Sequence, residues 1–204
     1  MSGLAASPPP PPTRMTADEF IAWATGHPDG HRCELVAGEV FRMAAERAAH
    51  ARVKARVYRA LCGAIERARL PCEAFPDGMA VRAADDAVYE PGALVRRSPP
   101  LPDDAVEADD PLVVVEALSP STGARDLGIK LGDYLSMPSV RHYLVVDTRR
   151  RRAIHHERAE GGRFATRLLA RGDTALLDPP GLSFEVADLF ADLDDALAPE
   201  APAP

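Results

Sequence analysis

The most regular hydrophobic pattern lies between residues 44 and 69, where apolar side chains recur every three or four positions. This spacing places them along one face of a helix, with the arginines of the segment mostly off that face. Pro71 cannot continue a helix and predicts its end. The positions that form the predicted apolar stripe are Val53, Val57, Ala60, Leu61, Ala64, Ile65 and Ala68.

Two continuous apolar runs, residues 111–118 and 141–147, have the pattern of strands that are buried on both faces. A second helix is expected between them, from about residue 125 to Ser136, closed by Pro138. A strand, a helix and a strand in this order predict a right-handed crossover between two parallel strands.

Shorter signals complete the predicted fold. Thr16 begins a capping box that opens a short first helix, and residues 33–41 predict a tight hairpin around Ala37-Gly38. The expected fold class is α/β or α+β, with a mixed central sheet flanked by helices. The remaining elements are strands at 72–75, 79–83, 87–90, 92–95, 153–157, 163–170 and 182–186, and a short helix at 186–193.

The ends of the chain differ from its middle. Residues 1–14 contain five consecutive prolines and are expected to form a disordered lead, with Met15 as an alternative start. Residues 196–204 are expected to form a disordered tail. The stretch of residues 15–195 has the length of one domain with a sizeable core, so a single domain is predicted.

The net charge of −7 is concentrated near the C-terminus. Six of the 31 acidic residues and no lysine or arginine lie within residues 185–204, so the rest has 25 acidic against 24 basic residues. This balance argues against a broadly basic nucleic-acid-binding surface, but not against an enzyme that meets a phosphodiester in one cleft. The absence of a long apolar run, a signal peptide and a zinc or disulfide spacing among three cysteines predicts a cytoplasmic protein without membrane contact.

Glu116 is the first candidate for chemistry, because it stands inside a hydrophobic strand just before a Ser-Pro-Ser-Thr turn. A buried carboxylate is costly unless it is paired, hydrogen-bonded or bound to a metal, and a salt bridge to an arginine is the structural alternative. Lys130 lies early in the following helix, so the crossover can bring it close to Glu116. The alternative for Lys130 is a surface ion pair with Asp126 or Asp133.

Six motifs follow one another in an order that resembles the Uma-type family of bacterial restriction endonucleases. This family has long been described as a domain of unknown function within the PD-(D/E)XK nuclease superfamily. The resemblance covers roughly residues 15–193, and its most specific segment is Val-Glu-Ala-Leu-Ser-Pro-Ser-Thr. The motifs are Met15-Thr-Ala-Asp-Glu-Phe, Cys33-Glu-Leu-Val-Ala-Gly-Glu-Val, Val81-Arg…Tyr89-Glu-Pro, Leu112-Val-Val-Val-Glu-Ala-Leu-Ser-Pro-Ser-Thr, Arg125-Asp-Leu-Gly-Ile-Lys-Leu…Tyr134 and Tyr143-Leu-Val-Val-Asp147.

The resemblance implies a nuclease core with an acidic site for Mg²⁺ or Mn²⁺ that hydrolyses nucleic-acid phosphodiesters. Glu116 matches the acidic position of the motif, and the backbone carbonyl of Ala117 is the implied second ligand. The lysine position two residues after the acid is Leu118 here. Lys130 matches variants in which this lysine has moved to the next helix, where its ammonium orients the attacking water.

Gly92 departs from the family pattern, in which an Asp follows the motif proline and binds the metal. Because Mg²⁺ is held by only one or two protein carboxylates, the loss of one ligand is expected to impair catalysis. Glu90 is a candidate substitute ligand, since residues two apart on a strand share a face. Glu34 matches an acidic position of the family hairpin, and it either lines the site or is an edge charge that faces water.

Other polar residues have structural interpretations that weigh against a catalytic role. His50, near the apolar stripe, is expected to be a hydrogen-bonded interface residue rather than a base. His155 and His156 are adjacent on a strand, so they face opposite ways and cannot chelate together. The run from Arg149 to Arg152 either contacts phosphates or forms a solvated turn. Ser119, Ser121 and Thr122 are expected to be turn and capping residues.

Together these features predict a metal-dependent endonuclease that acts on nucleic acid, with DNA as the expected substrate, and that is impaired by Gly92. The alternative is a catalytically degenerate nuclease fold that serves as a binding or structural module, as a homodimer. A third interpretation is a metal-free domain with a chance motif, which the multi-segment match disfavours.

Overall fold

The structure is a computed structural model that describes residues 14–27, 32–97, 99–118 and 128–193. The described residues form three α-helices and twelve β-strands arranged in three sheets, and the largest sheet is mixed. The predicted mixed α+β fold is therefore confirmed. The predicted lead before Arg14 and the predicted tail from residue 196 lie outside the described residues, and the single domain over residues 15–195 stays a prediction.

The helices are α1 (Ala17–Gly26), α2 (Ala48–Ala68) and α3 (Ile129–Ser136), with 3₁₀ turns at Glu160–Gly162 and Val186–Phe190. The strands are β1 (Cys33–Val36), β2 (Glu39–Arg42), β3 (Cys72–Pro76), β4 (Val81–Ala84), β5 (Ala87–Tyr89), β6 (Ala93–Arg97), β7 (Pro111–Leu118), β8 (His142–Asp147), β9 (Arg152–Arg158), β10 (Phe164–Leu169), β11 (Thr174–Leu177) and β12 (Leu182–Glu185). No helix in this part of the chain is both long enough and apolar enough to cross a membrane.

By their contacts the described residues fall into two compact units, and the first combines the chain up to Ala45 with Arg82–Tyr89. Its helix α1 begins with the predicted capping box: the Thr16 hydroxyl accepts a hydrogen bond from the Glu19 amide at 3.3 Å, and the Glu19 carboxylate accepts one from the Thr16 amide at 2.8 Å. The predicted hairpin joins β1 to β2, and both of its turn residues have positive φ, as a tight hairpin turn requires.

The second unit contains Glu46–Val81 and the described residues from Glu90 onward. Its six-stranded sheet has the order β10-β9-β8-β7-β6-β3, in which β7 and β8 are parallel and the other pairs are antiparallel. Helix α2 buries Val53, Val57, Leu61 and Ala64 of its predicted apolar stripe against one face of this sheet, where Val115 and Ala117 of β7 lie. Ala60 and Ile65 are partly buried, whereas Ala68 is exposed and was wrongly placed in the stripe. Because strand residues alternate between faces, Glu116 projects from the opposite face.

Some of the predicted elements differ from those in the structure. Strand β11 was not predicted, because it buries only Ala175 and Leu177 and its exposed Leu176 hides the alternation of polar and apolar residues. The predicted helix at 186–193 is a 3₁₀ turn that ends at Phe190. Residues 119–127 lie outside the described residues, so the predicted turn at Ser119–Thr122 and the start of the second helix near residue 125 fall there.

Candidate functional site

Glu116 and Lys130 form a buried ion pair on the side of the sheet opposite α2. The Lys130 ammonium lies 3.0 Å from Glu116 Oε1, and the two residues are 3% and 6% exposed. The Tyr134 hydroxyl lies 3.5 Å from the same oxygen. β7 supplies the carboxylate from the middle of the sheet, and the crossover helix α3 supplies the ammonium from its second residue. The structure therefore brings together the two residues selected from the sequence.

Each charge of this pair is expensive to bury without the other, because removal of one partner leaves an uncompensated charge in a poorly solvated place. Of the alternatives weighed for these residues, Asp126 lies outside the described residues, and Glu116 makes an ion pair with Lys130. The arrangement presents a carboxylate oxygen, a hard donor suited to Mg²⁺, directly beside a compact ammonium.

The backbone carbonyl of Ala117 contacts a histidine from α2. His50 Nε2 lies 2.7 Å from the Ala117 oxygen and donates to it, while His50 Nδ1 lies 3.4 Å from Glu46 Oε2. His50 is thus a hydrogen-bonded residue between helix and strand, as predicted. A carbonyl oxygen has two lone pairs, so its hydrogen bond to His50 does not by itself exclude a metal ligand role for Ala117.

Position 92 lies beside the backbone of β7. Strand β5 ends at Tyr89 and β6 begins at Ala93, so residues 90–92 lie between two strands. The expectation that Glu90 and Gly92 share a face relied on strand alternation, which does not apply to residues outside a strand, so it stays a prediction. A Cβ at Gly92 would lie 3.3 Å from the Val115 oxygen and 3.4 Å from Lys54 Cγ, on the α2 side. Glu90 is half-buried, and its role as a substitute ligand stays a prediction.

Lys54 forms a second charged cluster next to position 92 that the sequence did not reveal. Its ammonium lies 2.6 Å from Glu46 Oε1 and 2.6 Å from Asp77 Oδ2. Burial lowers the pKa of Lys54, but the hydrogen bonds to Asp77 and Glu46 outweigh it, so the net shift is upward. Asp77 lies in the turn between β3 and β4. The scarcity of lysine, with Lys54 and Lys130 as the two in the chain, was the available signal.

Glu34 lies on β1, within the first unit, and pairs with Phe41 across the hairpin. Strand β1 is flanked by β2 and β5, and the Glu34 residue is buried. The alternative that Glu34 is an edge charge facing water was therefore wrong. A role for Glu34 in lining the site stays a prediction.

Two of the buried histidines outside this site are adjacent on β9 and project from opposite faces. His155 Nε2 lies 2.9 Å from His142 Nδ1, whereas His156 Nδ1 lies 2.9 Å from the Thr166 hydroxyl and its ring stacks on Tyr143. The prediction that His155 and His156 cannot chelate one ion together is confirmed by these separate partners. Burial lowers the pKa of both, and that of His155 falls to about 4.

The fit of a divalent ion depends on how many protein ligands it needs. Within residues 14–27, 32–97, 99–118 and 128–193, no group of three or more His, Cys, Asp and Glu side chains could hold a metal. Mg²⁺ is often bound by one or two carboxylates together with substrate phosphates and water. The Glu116 carboxylate and the Ala117 carbonyl fit an ion of this shared kind, and they do not form an enclosed protein cage.

Comparison with known proteins agrees with this fold. The model of the Uma2 family, described as "Putative restriction endonuclease", matches residues 17–189. A crystal structure described as "a putative nuclease belonging to DUF820" from Anabaena variabilis is similar with a TM-score of 0.67 and 15% sequence identity, over 87% of this chain and 98% of that chain. At this identity the similarity establishes the fold. No curated protein sequence matches the chain.

Proposed function

This chain belongs to the Uma2 family, and we propose that it is a metal-dependent endonuclease that hydrolyses phosphodiester bonds of nucleic acid, with DNA as its substrate. The observation that carries the proposal is the buried ion pair between Glu116 of strand β7 and Lys130 of helix α3. A surface ion pair would contribute little and would not need burial, whereas a charged pair buried between a hydrophobic strand and a helix is costly to maintain. The family match over residues 17–189 supports the nuclease class.

The proposed mechanism assigns one task to each group. Glu116 and the Ala117 carbonyl would hold Mg²⁺ or Mn²⁺, and Glu90 is the candidate third ligand. When bound, the ion polarises the phosphoryl oxygen and lowers the pKa of water. The Lys130 ammonium orients the attacking water and stabilises the negative charge that develops on the phosphate. The proposal includes a cytoplasmic location, because the number and spacing of the three cysteines in the sequence fit neither a disulfide framework nor a zinc site.

A plasmid-nicking assay with Mg²⁺ or Mn²⁺ tests the mechanism on the wild type, Glu116→Gln and Lys130→Met. Both variants should lose nicking at least a hundred-fold, on the order of the effect of removing one charge-stabilising group. Asp133→Asn, on the same helix as Lys130, is the matched control and should retain activity. Circular dichroism establishes that each variant is folded. Undiminished nicking by Glu116→Gln, or no nicking by the folded wild type with either ion, would contradict the proposal.

The second candidate function is a nuclease fold that binds but no longer cuts, as a homodimer. Gly92 favours it, because this position offers no carboxylate and its neighbour Lys54 is already paired with Glu46 and Asp77. Light scattering on the purified protein measures the dimer, and a binding assay in EDTA measures association with DNA. A dimer that binds DNA with no nicking in any metal would support this function over the first.

A further inference from the structure

A turn made of arginines follows the parallel strand next to Glu116. Arg149, Arg150 and Arg151 form the turn between β8 and β9, and Arg152 is the first residue of β9. In a chain with a net charge of −7, four adjacent arginines are a marked local concentration of positive charge. Arg149 and Arg150 are exposed, so their guanidinium groups face solvent.

Asp147, the last residue of β8, holds the turn in place. Its Oδ1 accepts hydrogen bonds from the backbone amides of Arg149 at 3.1 Å and Arg150 at 2.9 Å. Its Oδ2 lies 3.3 Å from Arg150 Nη1, an ion pair that leaves the Arg150 side chain 66% exposed. Two backbone hydrogen bonds to one carboxylate are typical of an ordered turn, so the arginines extend from a fixed base.

The arginine turn follows the C-terminal end of β8, and the parallel strand β7, which carries Glu116, ends on the same side of the sheet. In the parallel pair β7–β8, Glu116 is opposite Val145 and Leu118 is opposite Asp147. Arg149 is four residues beyond Val145, which at about 3.3 Å per residue is at most about 13 Å along the strand. That distance corresponds to about four nucleotide steps at 3.4 Å per step.

The charge balance at the ion pair explains why a further cationic element is needed. Lys130 is neutralised by Glu116, so the pair as a whole does not attract a polyanion. Nucleic acid associates mainly through contacts between its phosphates and basic side chains. The nearby turn supplies such side chains, and the planar guanidinium group binds phosphate through two parallel hydrogen bonds.

We propose that Arg149 and Arg150 bind backbone phosphates of the nucleic acid within a few nucleotides of the phosphate that lies at Glu116 and Lys130. This inference rests on the proposed function and names the surface by which the substrate is held. It replaces the alternative of a solvated turn without a ligand. Asp147 acts as the positioning residue, because it fixes the backbone from which both arginines extend.

Fluorescence anisotropy with a short labelled DNA duplex, in EDTA and over a series of salt concentrations, tests the proposal without catalysis. The double variant Arg149→Ala/Arg150→Ala should bind on the order of ten-fold more weakly than the wild type, and the slope of log K against log salt should fall by about 1 to 2. Arg163→Ala is the matched control. Arg163 is exposed in the turn between β9 and β10, which lies at the opposite end of β9 from the arginine turn. Its loss should change the affinity less than two-fold.

The outcomes separate this inference from the nuclease proposal. Equal affinities and salt slopes for the wild type and the double variant, or an equal loss in Arg163→Ala, would overturn it. So would a wild type that binds no duplex, single strand or RNA of the same sequence. Cleavage that survives in the double variant with unchanged KM would leave the nuclease proposal standing and this inference refuted. The predicted loss of binding with no cleavage by the wild type would support the arginine surface and refute the nuclease.

Discussion

Acidification should destabilise the fold through a buried histidine pair on β8 and β9. His142 Nε2 lies 2.9 Å from the Pro179 carbonyl oxygen, which can only accept, so this nitrogen carries a proton. His142 Nδ1, 2.9 Å from His155 Nε2, must then accept the proton of that nitrogen. His155 Nδ1 is left buried without a hydrogen-bond partner among the described residues. The geometry thus fits two neutral rings, and burial together with the neighbouring His142, Arg167 and His156 disfavours a charge on His155.

The size of the effect follows from the pKa of His155. Burial, together with the neighbouring His142, lowers this pKa from 6.5 to about 4. Above pH 6.5 both the folded and the unfolded chain hold a neutral ring, and the full stability is present. Between pH 6.5 and about 4 the unfolded chain binds a proton that the folded chain does not, so stability falls with pH. A shift of this size corresponds to about 3 kcal/mol lost over the window.

Urea unfolding at a series of pH values measures this loss, because the midpoint and slope give the free energy of unfolding at each pH. His155→Gln keeps a side-chain donor for His142 and removes the titrating ring. Its free energy of unfolding should fall less steeply between pH 6.5 and 4, by about one proton's contribution, or about 1.4 kcal/mol per pH unit. The two proteins should have parallel profiles above pH 7. Identical profiles in the acid range would refute the reasoning.

Three further changes have defined outcomes. In a double-mutant cycle, Glu116→Gln and Lys130→Met should each destabilise by about 3 to 5 kcal/mol and the double variant by less than the sum, measured by urea unfolding. Gly92→Asp should bind Mg²⁺ more tightly than Gly92→Ala in calorimetry, because it adds a carboxylate. A side chain fits at this position, since the φ of Gly92 is outside the left-handed range and the flexible Lys54 stem can shift. Equal affinities of the two variants would contradict this. Thr16→Ala should cost about 1 kcal/mol in thermal unfolding through loss of the helix cap, and no change would count against the capping box.

The strand–helix–strand order allowed a contact between Glu116 and Lys130, and the resemblance to the Uma-type family selected it over a surface ion pair of Lys130. Their relation depends on a continuous apolar strand, an adjacent helix and a second buried strand, and the hand of such a crossover is nearly invariant. With the topology determined in this way, a residue near the start of the helix lies over the strand that precedes it. The capping box and the hairpin were also predictable, because each depends on residues only a few positions apart.

Contacts that depend on strand register or on the path of a turn were not predictable. Lys54 reaches Asp77 across 23 positions, and His142 pairs with His155 only because β8 and β9 run antiparallel with a particular register. A register is determined by the packing of whole strands and leaves little trace in the residues themselves. The position of Gly92 on the α2 side was missed for a related reason, since the bend at the motif proline interrupts the strand alternation on which the prediction relied.

The surroundings of Gly92 show what the loss of the family's Asp means for metal binding. The cluster beside it contains the carboxylates of Glu46 and Asp77 and the ammonium of Lys54, so its net charge is −1. An additional carboxylate at position 92 would need a cation to offset it, and a divalent ion is the natural one. With glycine in this position the cluster needs no metal, and the proposed site keeps the Glu116 carboxylate with Glu90 as the candidate further ligand. The affinity for the ion must then come largely from the substrate phosphate, so metal and nucleic acid should bind together rather than in sequence.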